Sequence, residues 1–317
     1  MFIRQSFLFI FLCFFGFSKF SFSQDEDQSQ SPDTNGTIGM SYVDASIYGL
    51  VEGITEFLPI SSTGHLILVS EFLKKEGGED EYTEAINAYL IVIQAGAILS
   101  VALIYRKELW SIALGVLGLD PRGRRLGLNL FLAFLPAALV GPFLDDSIET
   151  LLFGLLPIAF ALFAGALLMW WVEFRKKKQH QTASPESEKT LDDLSWKNSL
   201  FIGIMQCIAM WPGTSRSMMT IVAGYLVGLQ RAKAAEFSFL LGLITLTAAA
   251  GYKAVTKWEI MTENLQLGPV FWGCFVAGIS AALSVYWLVG YLSRRGLGIF
   301  VWYRILLSMI VLYFYLT

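Results

Sequence analysis

Charged residues are scarce in this chain: they make up 15% of its 317 residues, against about a quarter in an ordinary soluble domain. With 55% hydrophobic and 15% aromatic residues, too little polar surface remains to cover a soluble body of this size, and the chain is read as an integral membrane protein. An excess of basic charge is also missing. The 23 Lys and Arg against 26 Asp and Glu leave a net charge of −3, which excludes nucleic acid as a partner. Cysteine is nearly absent, since Cys13, Cys207 and Cys274 lie far apart in apolar runs. That is neither a disulfide framework nor the paired spacing of a zinc site, and the three read as packing residues. Histidine is rarer still, with only His65 and His180, and His180 falls in a polar basic stretch where it is read as solvated. A prior of about 150 residues per domain would give two domains, but one helical membrane body absorbs this length.

What is present is organised by long apolar runs. Residues 1–23 combine a basic start ending at Arg4, a Phe-rich run from Phe7 to Phe17 and small residues at Ser21 and Ser23, the pattern of a secretory signal peptide. Residues 24–41 are polar and read as a disordered tail on the outer side. Six runs, Ile86–Tyr105, Leu126–Leu144, Leu151–Val172, Phe237–Val255, Gly268–Leu292 and Ile299–Leu316, approach the ~20 residues that cross a bilayer. Two further stretches, Tyr42–Leu73 and Ser199–Leu229, are interrupted by Pro59–Gly64 and by Pro212–Ser217. Each half is too short to cross, and broken backbone at membrane depth survives only inside protein or beside a wet cavity. Both are therefore read as re-entrant helical hairpins.

Loop charge gives orientation. Arg106, Lys107, Arg122, Arg124 and Arg125 follow the first span and Arg175 to Lys178 follow the third, whereas Asp145, Asp146 and Glu149 lie between the second and third. The basic side is cytoplasmic. The two hairpins then enter from opposite faces and each precedes three spans. The expectation is an all-α membrane fold of six spans and two hairpins in an inverted-topology repeat, residues 42–173 and 198–317, joined by a basic loop at 174–197. A faint echo supports it: Pro59 with Ser62 against Pro212 with Ser215, and Glu84 against Glu236. In such folds the two breaks share one pocket.

The chemistry lies in those breaks. Glu52 and Glu56 are four apart and project from one helix face. In a low-dielectric site either one of them holds a proton or a divalent cation lies between them. A solvated pair at the membrane rim is the bland alternative. His65 ends the hydroxyl-rich turn Ser61-Ser62-Thr63 and could attack phosphorus or accept a proton; a packed polar histidine is its alternative. Arg216 stands among hydroxyls at a helix start, where its fork and the unpaired amides suit phosphate; its alternative is an ion pair with Glu52 or Glu56.

The segments Glu52-Gly-Ile-Thr-Glu-Phe-Leu-Pro-Ile-Ser-Ser-Thr-Gly-His65 and Trp211-Pro-Gly-Thr-Ser-Arg-Ser-Met-Met-Thr220 resemble the two signature stretches of the undecaprenyl-diphosphate phosphatases, the bacitracin-resistance proteins of bacteria. The resemblance runs from about Ser41 to the C-terminus and includes Gln94 and the run Glu236–Leu241; Gly242–Thr245 departs from it where a proline is expected. It implies hydrolysis of a C55 isoprenyl diphosphate to the monophosphate carrier of peptidoglycan synthesis, in the inner membrane with the site facing outward. Carried over residue by residue, it implies a catalytic set of Glu52, Glu56, Ser62, His65 and Arg216. Ser61, Thr63, Gly213, Ser215, Ser217 and Thr220 become phosphate-cradling positions. Mg²⁺ or Ca²⁺ on Glu52 and Glu56 is the expected cofactor, and the lipid substrate, the bilayer and a second copy of the chain are the expected partners. Ser62 is the favoured nucleophile with His65 or Glu56 as base, His65 attacking directly being the alternative. Other membrane lipid phosphatases carry a second histidine six residues after the arginine; here that residue is Val222. The non-enzyme alternative is a transporter of the lipid phosphate on the same scaffold.

Overall fold

The computed structural model describes residues 40–73, 79–182, 188–256 and 266–316. The signal-peptide reading and all but the end of the tail fall outside them, as do the side chains of Glu84 and His180. Regular structure among the described residues is helical apart from one short bridge between Lys189 and Leu229. In chain order the helices are α1 (Tyr42–Thr55), α2 (Ser62–Leu73), α3 (Glu79–Ile104), α4 (Arg106–Val116), α5 (Pro121–Leu152) and α6 (Leu155–Thr182). After a short 3₁₀ turn come α7 (Trp196–Ile208), α8 (Arg216–Leu226), α9 (Arg231–Thr256), α10 (Leu267–Arg295) and α11 (Gly298–Leu316).

Five helices, α5, α6, α9, α10 and α11, are long and apolar enough to cross a membrane. A sixth span arises if Tyr89–Ile104 of α3 is counted with α4, to which it is joined through a 77° bend. Tyr105, at φ −97 and ψ 25, breaks the helix there. The basic loop expected after the first run is thus partly helix, with Arg106 and Lys107 opening α4. The acidic loop expected at 145–149 is also helix: α5 runs unbroken to Leu152, and only Phe153 and Gly154 connect it to α6. At 32 residues α5 is about 48 Å long, more than the ~30 Å of hydrocarbon, so its polar ends project beyond it. Charge is sorted as expected, but on helix ends. Likewise Arg175 to Lys178 ride on the last turns of α6, so the stretch expected as a basic loop from residue 174 is helical as far as Thr182.

The helices pair in a regular pattern. The helix pair α1 and α2 packs mainly through α1 on α10, while the pair α7 and α8 packs through α7 on α5. α3 packs chiefly on α10 and also on α9, and α6 packs on α11. Glycine allows the two hairpin seams to close. A Cβ on Gly53 would lie 2.3 Å from the Ala277 carbonyl oxygen of α10, and one on Gly203 would lie 2.3 Å from the Ala133 oxygen of α5. An apolar cluster that includes Phe57, Leu58 and Ile60 of the first break and Met218 and Met219 after the second, with Phe239 and Phe300, packs beside both breaks.

Candidate active site

Both breaks end in the same local structure. Ser61 and Ser215 are the only non-glycine residues at positive φ among the described residues, and both have φ 74. Each turns its hydroxyl onto the third amide of the helix it starts: Gly64 N donates to Ser61 Oγ at 3.3 Å and Met218 N to Ser215 Oγ at 3.3 Å. A left-handed serine is strained, and the cap offsets that strain. The internal echo is therefore one residue out of the register read from sequence. Ser61, not Ser62, matches Ser215, and Ser62 matches Arg216 as the first residue of a helix.

Glu56 joins these two first residues. Ser62 Oγ donates to Glu56 Oε2 at 2.7 Å, and Arg216 Nη2 donates to Glu56 Oε1 at 3.1 Å. Both charged side chains are almost wholly buried, at 11% and 7% exposure, so this pair is protected from solvent screening. Arg216 is further fixed by Nη1 donating to the Ser238 carbonyl at 3.2 Å and by the face of Phe57, 5.5 Å below its guanidinium carbon. It lies on α9 only because residue 242 has no side chain, since a Cβ there would fall 1.8 Å from Nη1. Its Nε is buried with no partner, a donor turned to no protein acceptor.

The remaining hydroxyls of the second break are spent on the protein. Ser217 Oγ donates to the Leu58 carbonyl of the first break at 2.8 Å. Thr220 Oγ1 meets the Arg216 carbonyl at 2.9 Å and Ser238 Oγ at 2.6 Å. Both residues are fully buried, so these expected phosphate-cradling side chains act as ties. What they leave for an anion is the amides of the two first turns, which have no acceptor within their own helices. The Ser61 and Ser215 hydroxyls serve as caps, and the Gly213 carbonyl accepts from Arg304 Nη2 at 3.0 Å. Thr63 lies in the first turn of α2.

His65 is held at both ring nitrogens. Nδ1 lies 2.6 Å from the Ser61 carbonyl, which can only accept, so the proton is on Nδ1. Nε2 then accepts from Tyr303 Oη at 2.7 Å, and the two rings stack 5.6 Å apart. Neither nitrogen is presented to Ser62. Glu52 is buried and accepts from Gln94 Nε2 at 3.3 Å. As metal donors, Glu52 and Glu56 are hard oxygens of the type Mg²⁺ and Ca²⁺ prefer. Among the described residues no cluster of three or more His, Cys, Asp or Glu side chains could hold a metal. The pair fits a cation whose other ligands come from diphosphate oxygens and water, and does not fit an all-protein cage.

Tyr303 and Arg304 escaped the sequence reading, and Gly242 entered it only as a departure from the family pattern, not as a residue against Arg216. Arg304 is fully buried in α11, and its contacts are carbonyls: Leu162 at 3.3 Å, Ala161 at 3.2 Å and Gly213. A lone arginine inside the last apolar run was itself the available signal. Beside Arg216 a cavity of about 380 Å³ opens between α5, α7 and α9, walled by Phe134, Ala137, Met210, Ala248 and Ala249, with Tyr252 and Lys253 also lining it.

A family model described as "Bacitracin resistance protein BacA" matches residues 45–310 of this chain. A Rhodospirillum rubrum protein named "Undecaprenyl-diphosphatase 2" is 41% identical over 270 residues, 85% of this chain and 93% of the relative. A Sorangium cellulosum "Undecaprenyl-diphosphatase" is 41% identical over 279 residues, 86% of each chain. An Acinetobacter baylyi "Undecaprenyl-diphosphatase 3" is 38% identical over 269 residues, 85% of this chain and 96% of the relative.

Proposed function

This chain belongs to the bacitracin resistance protein BacA family, and on that premise we propose that it hydrolyses undecaprenyl diphosphate to undecaprenyl phosphate and inorganic phosphate. The observation that carries the reading is the Glu56 carboxylate, with Ser62 Oγ at 2.7 Å on one oxygen and Arg216 at 3.1 Å on the other. A serine held by a buried base beside a phosphate-matching fork is the apparatus of phosphoryl transfer, and a carrier of the lipid phosphate has no need of it.

Ser62 is the nucleophile and Glu56 its base. Arg216, through its unpartnered Nε, and the first-turn amides of α2 and α8 receive the oxygens of the terminal phosphate. Glu56 takes the Ser62 proton as Oγ attacks the terminal phosphorus. The bond from that phosphorus to the bridging oxygen breaks, and the prenyl phosphate leaves with the electron pair. Water then attacks the phosphoserine, Glu56 returns its proton to the departing Ser62 Oγ, and the proton lost by the water is released as inorganic phosphate departs. His65 holds the turn through Ser61 rather than reacting. Glu52 and Glu56 are the residues that would hold a divalent cation, which would supply charge neutralisation to the diphosphate.

In the fold of this reading, α1–α2 and α7–α8 are re-entrant hairpins entering from opposite sides, and six spans complete an inverted repeat. Its support is an exchange of partners: each hairpin packs on the second span of the other half, and the third spans pair with each other. The matched left-handed serines add to it. The protein lies in the inner membrane with its site open to the outer face, which recycles the carrier for peptidoglycan and gives bacitracin resistance. The test is release of inorganic phosphate from undecaprenyl diphosphate by the purified protein in detergent. Release by the unmodified chain and none by Ser62→Ala supports the reading; equal release by both overturns it.

A further inference from the structure

Gln206 lies in α7 at the floor of the cavity that Arg216 also lines. It is 3% exposed, and its Nε2 has no hydrogen-bond partner. Its other amide atom, Oε1, is 3.3 Å from Thr245 Oγ1 of α9. A buried unpaired amide donor costs free energy unless it serves a ligand. The internal repeat gives this pair a counterpart. Gln206 stands nine residues before Ser215, as Glu52 stands nine before Ser61. Thr245 touches it at 3.3 Å from α9, just as Gln94 of α3 touches Glu52 at 3.3 Å. At this position one half of the fold thus presents the carboxylate of Glu52, and the other half presents a neutral amide in the cavity that Arg216 also lines.

The surroundings of that amide decide what it receives. Ser62 and Glu56 do not line the cavity; Arg216 does, and beyond Gln206 its walls are mostly apolar side chains of α5 and α9, with Asp145, Thr245, Tyr252 and Lys253 among them. A prenyl diphosphate whose terminal phosphate meets Ser62 must send its chain along those walls, and the phosphate nearer the chain then lies between Arg216 and Gln206. We propose that the Gln206 side-chain amide is a substrate-binding donor for a non-bridging oxygen of this chain-proximal phosphate, the one that leaves as prenyl monophosphate. The inference rests on the diphosphatase reading and names the residue by which that site holds the phosphate next to the chain. Thr245 has a single hydroxyl proton, shared between the Leu241 carbonyl at 2.8 Å and Gln206 Oε1. Phosphate binding selects the arrangement in which Thr245 donates to Oε1, which keeps the amide N–H groups facing the cavity.

The test uses two competitive inhibitors, prenyl monophosphate and inorganic phosphate, against the full chain in detergent. In Gln206→Leu the inhibition constant for prenyl monophosphate rises roughly tenfold, as expected for a lost hydrogen bond to a charged group, while that for inorganic phosphate stays unchanged. Gln206→Glu, which keeps the shape but faces the anion with a carboxylate, shows a larger rise for the same inhibitor and the same unchanged inorganic phosphate. Unchanged prenyl monophosphate inhibition in either variant, or an equal rise for both inhibitors, overturns the proposal. Should Gln206→Leu fail to fold, the nearly isosteric Gln206→Glu decides alone. Failure of the underlying reading is separate: it would appear as an unmodified chain that releases no phosphate.

Discussion

At the scale of single residues the site turns on which group holds the Ser62 proton. Ser62→Ala removes the attacking atom and is expected to abolish phosphate release. Glu56→Gln keeps a hydrogen bond to Ser62 but accepts no proton, and is expected to lower kcat by about 10²–10⁴-fold; near-native turnover by that variant, measured as released phosphate, would remove Glu56 as base. Tyr303→Phe is expected to cost less than about tenfold in kcat, because it removes one of the two hydrogen bonds of a histidine that positions the turn; a loss as deep as that of Ser62→Ala would return His65 to the chemistry. Excess chelator is expected to abolish turnover, and Mg²⁺ to bind measurably only with a diphosphate present, since the protein offers two carboxylates and no cluster of three among the described residues. Glu52, Glu56, Ser62, His65 and Arg216 could be picked out as candidates in the sequence, because charge and hydroxyls in helix breaks are conspicuous in an apolar chain. The choice between His65 and Glu56 could not be read there. It depends on the left-handed turn at Ser61, which sends the histidine toward its own carbonyl and Tyr303, a residue 238 positions away.

At the scale of helices the site depends on how closely α1 lies against α10. Gly53 sits between the two glutamates, and a Cβ there would meet Ser280 Oγ at 2.0 Å, the Ala277 oxygen at 2.3 Å and the Ala281 amide at 2.9 Å. Two of these atoms are backbone, which cannot step aside without moving a whole helix. Gly53→Ala is accordingly expected to lose about 1–3 kcal/mol of stability, read as a lowered thermal unfolding midpoint in detergent, together with activity, because α1 carries Glu52 and Glu56. Gly251→Ala, on α9 in open space, is the matched control and should change neither; an unfolding midpoint unchanged by Gly53→Ala would refute the tight seam. The small-residue pair Gly49 and Gly53, four apart, was visible in the sequence and is a recognised close-packing pattern in membrane helices. By contrast, the bend at Tyr105 that separates α3 from α4 carries no glycine or proline to announce it. Hydropathy alone runs through such a bend.

At the scale of the whole molecule, apolar run length located the five long helices but misjudged their ends, because charged residues at the edge of a bilayer can extend a helix as readily as close it. Arg122, Arg124 and Arg125 sit in the first turns of α5, and Asp145, Asp146 and Glu149 in its last turns. One helix therefore carries opposite charge at its two ends, and Arg175 to Lys178 sit in the last turns of α6. On the proposed orientation the basic ends face the cytoplasm, since translocating lysine and arginine is what membrane insertion resists. Helix continuity sharpens the consequence: the two ends of α5 cannot lie on one side, so a single pair of probes fixes the polarity of the bundle. With the native cysteines removed, Ser147→Cys near the acidic end is expected to react with a membrane-impermeant thiol reagent added to intact cells. Lys177→Cys at the end of α6 should react only after the cells are opened. The reverse pattern would turn the molecule over and direct the site inward, and a chain recycling its lipid at the outer surface could not then work as proposed.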